Sequence, residues 1–132
     1  MSRTAAVLGD FALVFAGGGV GAMARYAIGL ASIRMFGSDF PWGTLTVNLA
    51  GCFLIGLTVG AIDFGLIPAR ARPLLVTGFL GGLTTFSTYA WGLFELGRRD
   101  HWSRALLQFG LENVLGIGLV VLGFWLAETL KP

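Results

Sequence analysis

The stretch at residues 73–96, PLLVTGFLGGLTTFSTYAWGLFEL, constrains what the rest of the chain can be. It is long and apolar enough to cross a bilayer, whose hydrocarbon core takes about 20 helical residues. Its middle nevertheless holds Gly78, Gly81, Gly82, Thr84, Thr85, Ser87 and Thr88. In hydrocarbon every backbone N–H and C=O must be satisfied within the protein. Hydroxyls and paired glycines at that depth point to close helix packing, an interrupted backbone or a polar path. An interruption at Gly81 and Gly82 would release carbonyl and amide groups to an internal partner, an ion or water.

Three further apolar runs surround this segment. Charged residues are only 12% of the chain and hydrophobic ones 55%, against about 25% charged in a soluble domain. The 132 residues are read as a single transmembrane domain, 1–132, with crossings at 11–35, 44–63, 73–97 and 105–126. The apolar run that follows MSRTAAVLGD is too long for a signal peptide and reads as a first crossing retained in the mature protein. The fold class is an all-α membrane protein of four transmembrane helices. The expected localisation is the cell membrane, inner or plasma, with multiple passes.

Polar residues inside the crossings are the candidates for function. Gly17 and Gly21 share a face of the first crossing, a small-xxx-small pattern for close approach. Arg25, farther along it, either snorkels to the interface or supplies a fixed positive charge near the mouth of an anion pathway. In the second crossing Thr44, Asn48 and Gly51 fall on one face. The Asn48 amide either bridges two helices or donates into an aqueous path. In the fourth, Gln108, Glu112 and Gly116 form an i, i+4, i+8 stripe with Asn113 beside it. Glu112 is ionised with a partner or protonated, and an Arg25–Glu112 pair is one structural reading. Phe86 and Tyr89, three apart, could turn positive ring edges to an anion, although aromatics at that spacing also build cores.

Several classes of function lack a basis. Cys52 is the only cysteine and His101 the only histidine, a residue placed among charges in a polar turn and read as solvent-facing. No metal-ligand spacing, nucleophile–base pair or phosphate loop occurs, so the chain does not read as an enzyme. The net charge of +2 is dispersed, with no basic cluster to follow a phosphate backbone, which excludes nucleic acid as a natural partner. With four crossings, Arg3, Arg70, Arg72 and Lys131 lie on one side and Arg34, Arg98, Arg99 and Arg104 on the other. That even count gives the positive-inside rule no preference, so both orientations should insert and antiparallel dimers become possible.

The segments GGVGAMARY (18–26), GTLTVNLAGCFLIG (43–56) and GFLGGLTTFSTY (78–89) resemble those of the CrcB/Fluc family of fluoride channels, and the similarity extends over essentially the whole chain. The resemblance implies a dual-topology, antiparallel homodimer in membrane lipid, with the third helix broken near its middle. It implies passive, fluoride-selective export from the cytoplasm that lowers fluoride toxicity. It also implies a structural Na+ at the dimer interface, held by the backbone carbonyls of Gly81 and Thr84 from both subunits. Asn48 and Phe86 would line the fluoride pathway, with Tyr89, Thr85, Ser87, Gln108 and Glu112 beside them and Arg25 at the vestibule. The chain departs from the family pattern at Tyr89, where phenylalanine is usual, at Gly92, where glutamate is common, and at Gln108 and Glu112, where tyrosine and serine are expected. Other readings are a small-cation/proton exchanger using Glu112, a non-conducting membrane subunit, and an obligate hetero-dimer with an unlike partner.

Overall fold

The computed structural model describes residues 3–131, with the side chain of Arg3 left out; Met1, Ser2 and Pro132, the ends of the span 1–132, lie outside the described residues. Helix α1, Arg3–Phe36, is longer than the expected crossing because nothing between Thr4 and Phe11 breaks it. Positive-φ Gly37 ends it, and a short turn leads to α2, Trp42–Asp63, preceded by Pro41. Gly65, also at positive φ, reverses the chain after α2. A 3-10 turn, Ala69–Ala71, then leads into α3, which comprises the wide π-wound stretch Pro73–Leu80 and the turn Gly81–Leu83. Helix α4 is Phe86–Arg98. The fourth crossing, Trp102–Thr129, consists of α5, Trp102–Gly110, a π turn, Leu111–Leu115, and α6, Gly116–Thr129.

Three of these helices, Thr4–Phe36, Trp42–Asp63 and Trp102–Thr129, are long and apolar enough to cross a membrane unbroken. Together with the interrupted third segment they make a four-helix, multi-pass membrane protein. The two ends of the bundle are tied differently. On one, Lys131 Nζ lies 5.3 Å from the centre of the Phe64 ring, and Phe64 meets Phe124 at 5.3 Å. On the other, Arg104 donates to the Asp39 carbonyl at 3.1 Å, and Trp42 contacts Phe36 and Phe40. These aromatics suit the headgroup level.

Lipid removes the hydrophobic drive for helix association, so close backbone packing holds the bundle instead. Helix α1 packs on α3, and α2 packs on α6. A methyl group on Gly17 would overlap the Leu74 carbonyl, on Gly21 the Phe79 carbonyl, and on Gly82 the Gly18 carbonyl. Across the other pair, Gly56 abuts the Val120 carbonyl and Gly123 abuts the Phe53 carbonyl. Val47, Leu80 and Leu83 form the buried core between these pairs, with Ala24, Ile28 and Phe79 against them. Outward residues such as Phe15, 85% exposed, and Phe11 face away from the bundle.

The third crossing is broken near its middle, but three residues beyond the expected point. Gly81 keeps helical angles (φ −63°, ψ −34°), and the helix runs on through Gly82 and Leu83. The chain becomes extended at Thr84 (φ −87°, ψ 157°) and Thr85 (φ −154°, ψ 115°). Gly82 therefore serves close approach to Gly18, whereas two β-branched residues, which suit extended backbone, take the break.

Candidate functional site: an interrupted helix with a polar seam

Helix α3 ends on the Leu80 carbonyl, which accepts from Thr84 N at 3.0 Å and from Thr84 Oγ1 at 2.9 Å. In an uninterrupted helix Thr85 N–H would bond to the Gly81 carbonyl. It turns instead to Asn48 Oδ1 at 2.9 Å, and Asn48 Nδ2 returns a bond to the Thr85 carbonyl at 3.2 Å. One side chain of α2 thus pairs with both polar groups of a backbone residue at mid-depth, as a neighbouring strand would. Thr84 can come this close because Gly51, three residues after Asn48, has no side chain; a methyl there would overlap Thr84 Cγ2.

Helix α4 begins on the far side of the break. Thr85 is its cap, with Oγ1 accepting from Thr88 N at 3.3 Å. The Thr85 hydroxyl also lies 3.1 Å from Thr88 Oγ1 and 3.3 Å from Ser87 Oγ. The α4 N-terminus carries partial positive charge and has amides without intrahelical acceptors. The two half-helices therefore meet with carbonyls on one side of the break and amides on the other.

Two clefts flank the break. One, of about 360 Å³, is lined by Asn48, Thr85, Phe86, Tyr89, Glu112 and Asn113 among others. The other, of about 470 Å³, includes Arg25, Tyr26, Thr44, Thr85 and Thr88. Thr85 borders both. Phe86 is 78% exposed, whereas Tyr89 is buried; their ring centres lie 5.6 Å apart and tilted. The Tyr89 hydroxyl accepts from Asn113 Nδ2 at 2.7 Å. Ser87 is exposed.

The fourth crossing closes the seam. Glu112 Oε2 accepts from Asn48 Nδ2 at 2.6 Å, and Oε1 accepts from Gln108 Nε2 at 3.2 Å. Gln108 is fully buried behind Glu112 and outside the first cleft, with its own Oε1 unpartnered. Arg25 does not reach Glu112. Its Nη1 donates instead to the Thr84 carbonyl at 3.4 Å, so the Arg25–Glu112 pair considered from sequence is replaced by Arg25 against the break and Glu112 against amides.

Sequence reasoning left Thr88 and Asn113 out of the site. The Thr84–Ser87 hydroxyl run extends naturally to Thr88, and Asn113 was visible beside the Gln108–Glu112 stripe. Its partner Tyr89 is 24 residues away and carries no local signal. Among the described residues no His, Cys, Asp and Glu gather as metal ligands, so a cation held here would rely on carbonyl oxygens. The Gly81 carbonyl fits that chemistry, because its helical donor has turned to Asn48 and a carbonyl oxygen suits a hard cation.

These features define a class: a small multi-pass membrane protein with a polar interruption in its third crossing. The chain belongs to the family described as CrcB-like protein, Camphor Resistance (CrcB), whose profile matches residues 12–124. It is 45% identical over 122 residues to the Pyrococcus furiosus protein named Fluoride-specific ion channel FluC, covering 92% of this chain and 98% of that one. It is 43% identical over 115 residues to the Aquifex aeolicus protein of the same name, covering 86% and 93%. With the one from Maridesulfovibrio salexigens it shares 36% identity over 118 residues, covering 89% and 94%.

Proposed function

We propose that this chain is a passive, fluoride-selective channel that exports fluoride from the cytoplasm as an antiparallel homodimer. The observation that carries this reading is the break at Thr84 and Thr85, pinned by Asn48 and facing a cleft lined by amides, a hydroxyl, aromatic rings and the Glu112 carboxylate. A small anion must recover by hydrogen bonds what it loses in hydration, yet bind weakly enough to leave. Hydroxyls, amides and ring edges suit that balance better than a fixed cation does. The proposed path passes Asn48, Thr85, Ser87, Phe86 and Tyr89, with Gln108 bracing Glu112 beside it and Arg25 on the other side of the break, against the Thr84 carbonyl. The names of the relatives support the choice of ion.

In the same reading, the Gly81 and Thr84 carbonyls of both subunits would hold a sodium ion, which would supply positive charge between the two broken helices. Replacing sodium with a large organic cation should then lower the thermal stability of the dimer; no change would remove the ion from the scheme. The even basic count supports insertion in both orientations. A cysteine added to one exposed loop should be labelled in part from each side of the membrane, and labelling from one side alone would refute dual topology.

The primary test is efflux from liposomes holding only the purified chain, with fluoride, chloride and proton electrodes on one preparation. Rapid fluoride efflux with little chloride and no coupled proton movement is expected. Silence from folded dimers would overturn the homodimeric channel, and proton-coupled movement would overturn passive conduction.

A further inference from the structure

Asn48 is the donor on which the proposed path depends, yet neither of its amide hydrogens is free. Its partners fix the orientation of the amide. Thr85 N–H must meet Oδ1, while the Thr85 carbonyl and the Glu112 carboxylate, both acceptors, must meet Nδ2. An amide nitrogen has two hydrogens, and these two acceptors take both. The shorter bond, 2.6 Å, goes to Glu112 and has the length of a charge-assisted contact.

Glu112 is also held from behind. Gln108 Nε2 bonds to its other oxygen at 3.2 Å, and Gln108 is fully buried, so this anchor cannot swing away to solvent. The carboxylate sits in the lining of the cleft of about 360 Å³. There it does what a permeating anion would do, accepting hydrogen from a neutral N–H. A serine at this position would be too short to reach Asn48 from the same backbone and would leave one Nδ2 hydrogen without a partner.

We propose that Glu112 is a tethered anion occupying the Asn48 donor, so that a permeating anion passes only by displacing its carboxylate. The inference rests on the fluoride reading above. It makes Glu112 a specificity-determining residue: an ion enters only if it competes with a carboxylate for a single N–H. Fluoride, small and a strong acceptor, can do so, whereas larger and more weakly accepting halides are turned back.

The test is fluoride and chloride efflux from liposomes containing wild type, E112Q or E112D, matched for dimer content. Glutamine keeps the shape but replaces a charge-assisted bond with a neutral one. Fluoride efflux from E112Q should rise about tenfold, with a larger relative rise for chloride. Aspartate keeps the charge on a shorter arm that falls short of Asn48, and E112D should also conduct faster. A gain in E112Q without one in E112D would assign the effect to charge alone and overturn the tether. Unchanged or slower efflux from folded E112Q would overturn it as well, because a merely structural brace predicts that result. If E112Q does not assemble, Q108M decides: it removes the anchor without touching the charge and should speed efflux, and no gain refutes the proposal. Wild-type conduction without gain in the variants removes only the tether. Silence from all three removes the fluoride reading too.

Discussion

Asn48→Asp replaces the Nδ2 amide nitrogen with a second oxygen and changes little else in size. Oδ1 would still accept from Thr85 N–H. The new oxygen would face the Glu112 carboxylate and the Thr85 carbonyl where Nδ2 now stands, 2.6 and 3.2 Å away. Two unit charges about 3 Å apart repel by about 5 kcal/mol at an effective dielectric constant of about 20. The lost charge-assisted bond adds about 1.5–3 kcal/mol. Glu112 borders an open cleft and can rotate away, so a net destabilisation of about 3 kcal/mol is the working figure. The second step is a swap. In N48D/E112Q the glutamine amide can donate to the introduced aspartate, restoring the bond with its polarity reversed, although the clash with the Thr85 carbonyl persists. The double variant should therefore recover about half of the loss. Denaturant unfolding of all four proteins in detergent gives the coupling energy directly, and about 1–2 kcal/mol is expected. Strict additivity would mean that Asn48 and Glu112 do not share a bond in the folded protein and would refute the seam. Fluoride efflux should fall in N48D.

Two further predictions concern neighbouring features. Gly82→Ala should be far more damaging than Gly81→Ala, because the added methyl overlaps the Gly18 carbonyl at position 82 but meets only the Val76 carbonyl, at 3.8 Å, at position 81. Yield of folded protein by size-exclusion chromatography separates the two, and equal yields would contradict the packing of α1 on α3. Tyr89→Phe removes the acceptor of the 2.7 Å bond from Asn113, which keeps its bond to the Phe109 carbonyl at 2.8 Å. A loss of about 1 kcal/mol in unfolding is expected, with the fold retained; loss of assembly would show that the hydroxyl does more than anchor Asn113.

The architecture was legible because each crossing announces itself locally. Length, charge depletion and helical spacing are properties of single segments, and the Gly17–Gly21 face and the Gln108–Glu112 stripe fall where their periods put them. The broken third crossing could be anticipated from its polar middle, but not its register. The paired glycines drew the break to Gly81 and Gly82, while tertiary packing uses Gly82 to admit Gly18 and leaves the interruption to Thr84 and Thr85. A side chain at Gly81 finds room within the subunit. The partners of the polar residues were out of reach. Asn48 meets Thr85 across 37 residues and Glu112 across 64, and nothing in a single sequence fixes which faces of α2 and the fourth crossing turn to each other. The π turn at Leu111–Leu115, which carries Glu112, likewise has no residue pattern that announces it.

The pairing of Asn48 with the Thr85 backbone has a consequence for how the protein is made. The third crossing emerges from the ribosome after α2 but before the fourth, and the amide that pairs with Thr85 lies outside it, on α2. While that segment is alone in the bilayer, the cheapest partner for Thr85 N–H is the Gly81 carbonyl, so the newborn helix is continuous. The extended residues appear only when α2 docks and its amide exchanges one backbone bond for two. The kink is thus written in trans, by a neighbouring helix, and its formation reports the docking of α2 rather than insertion.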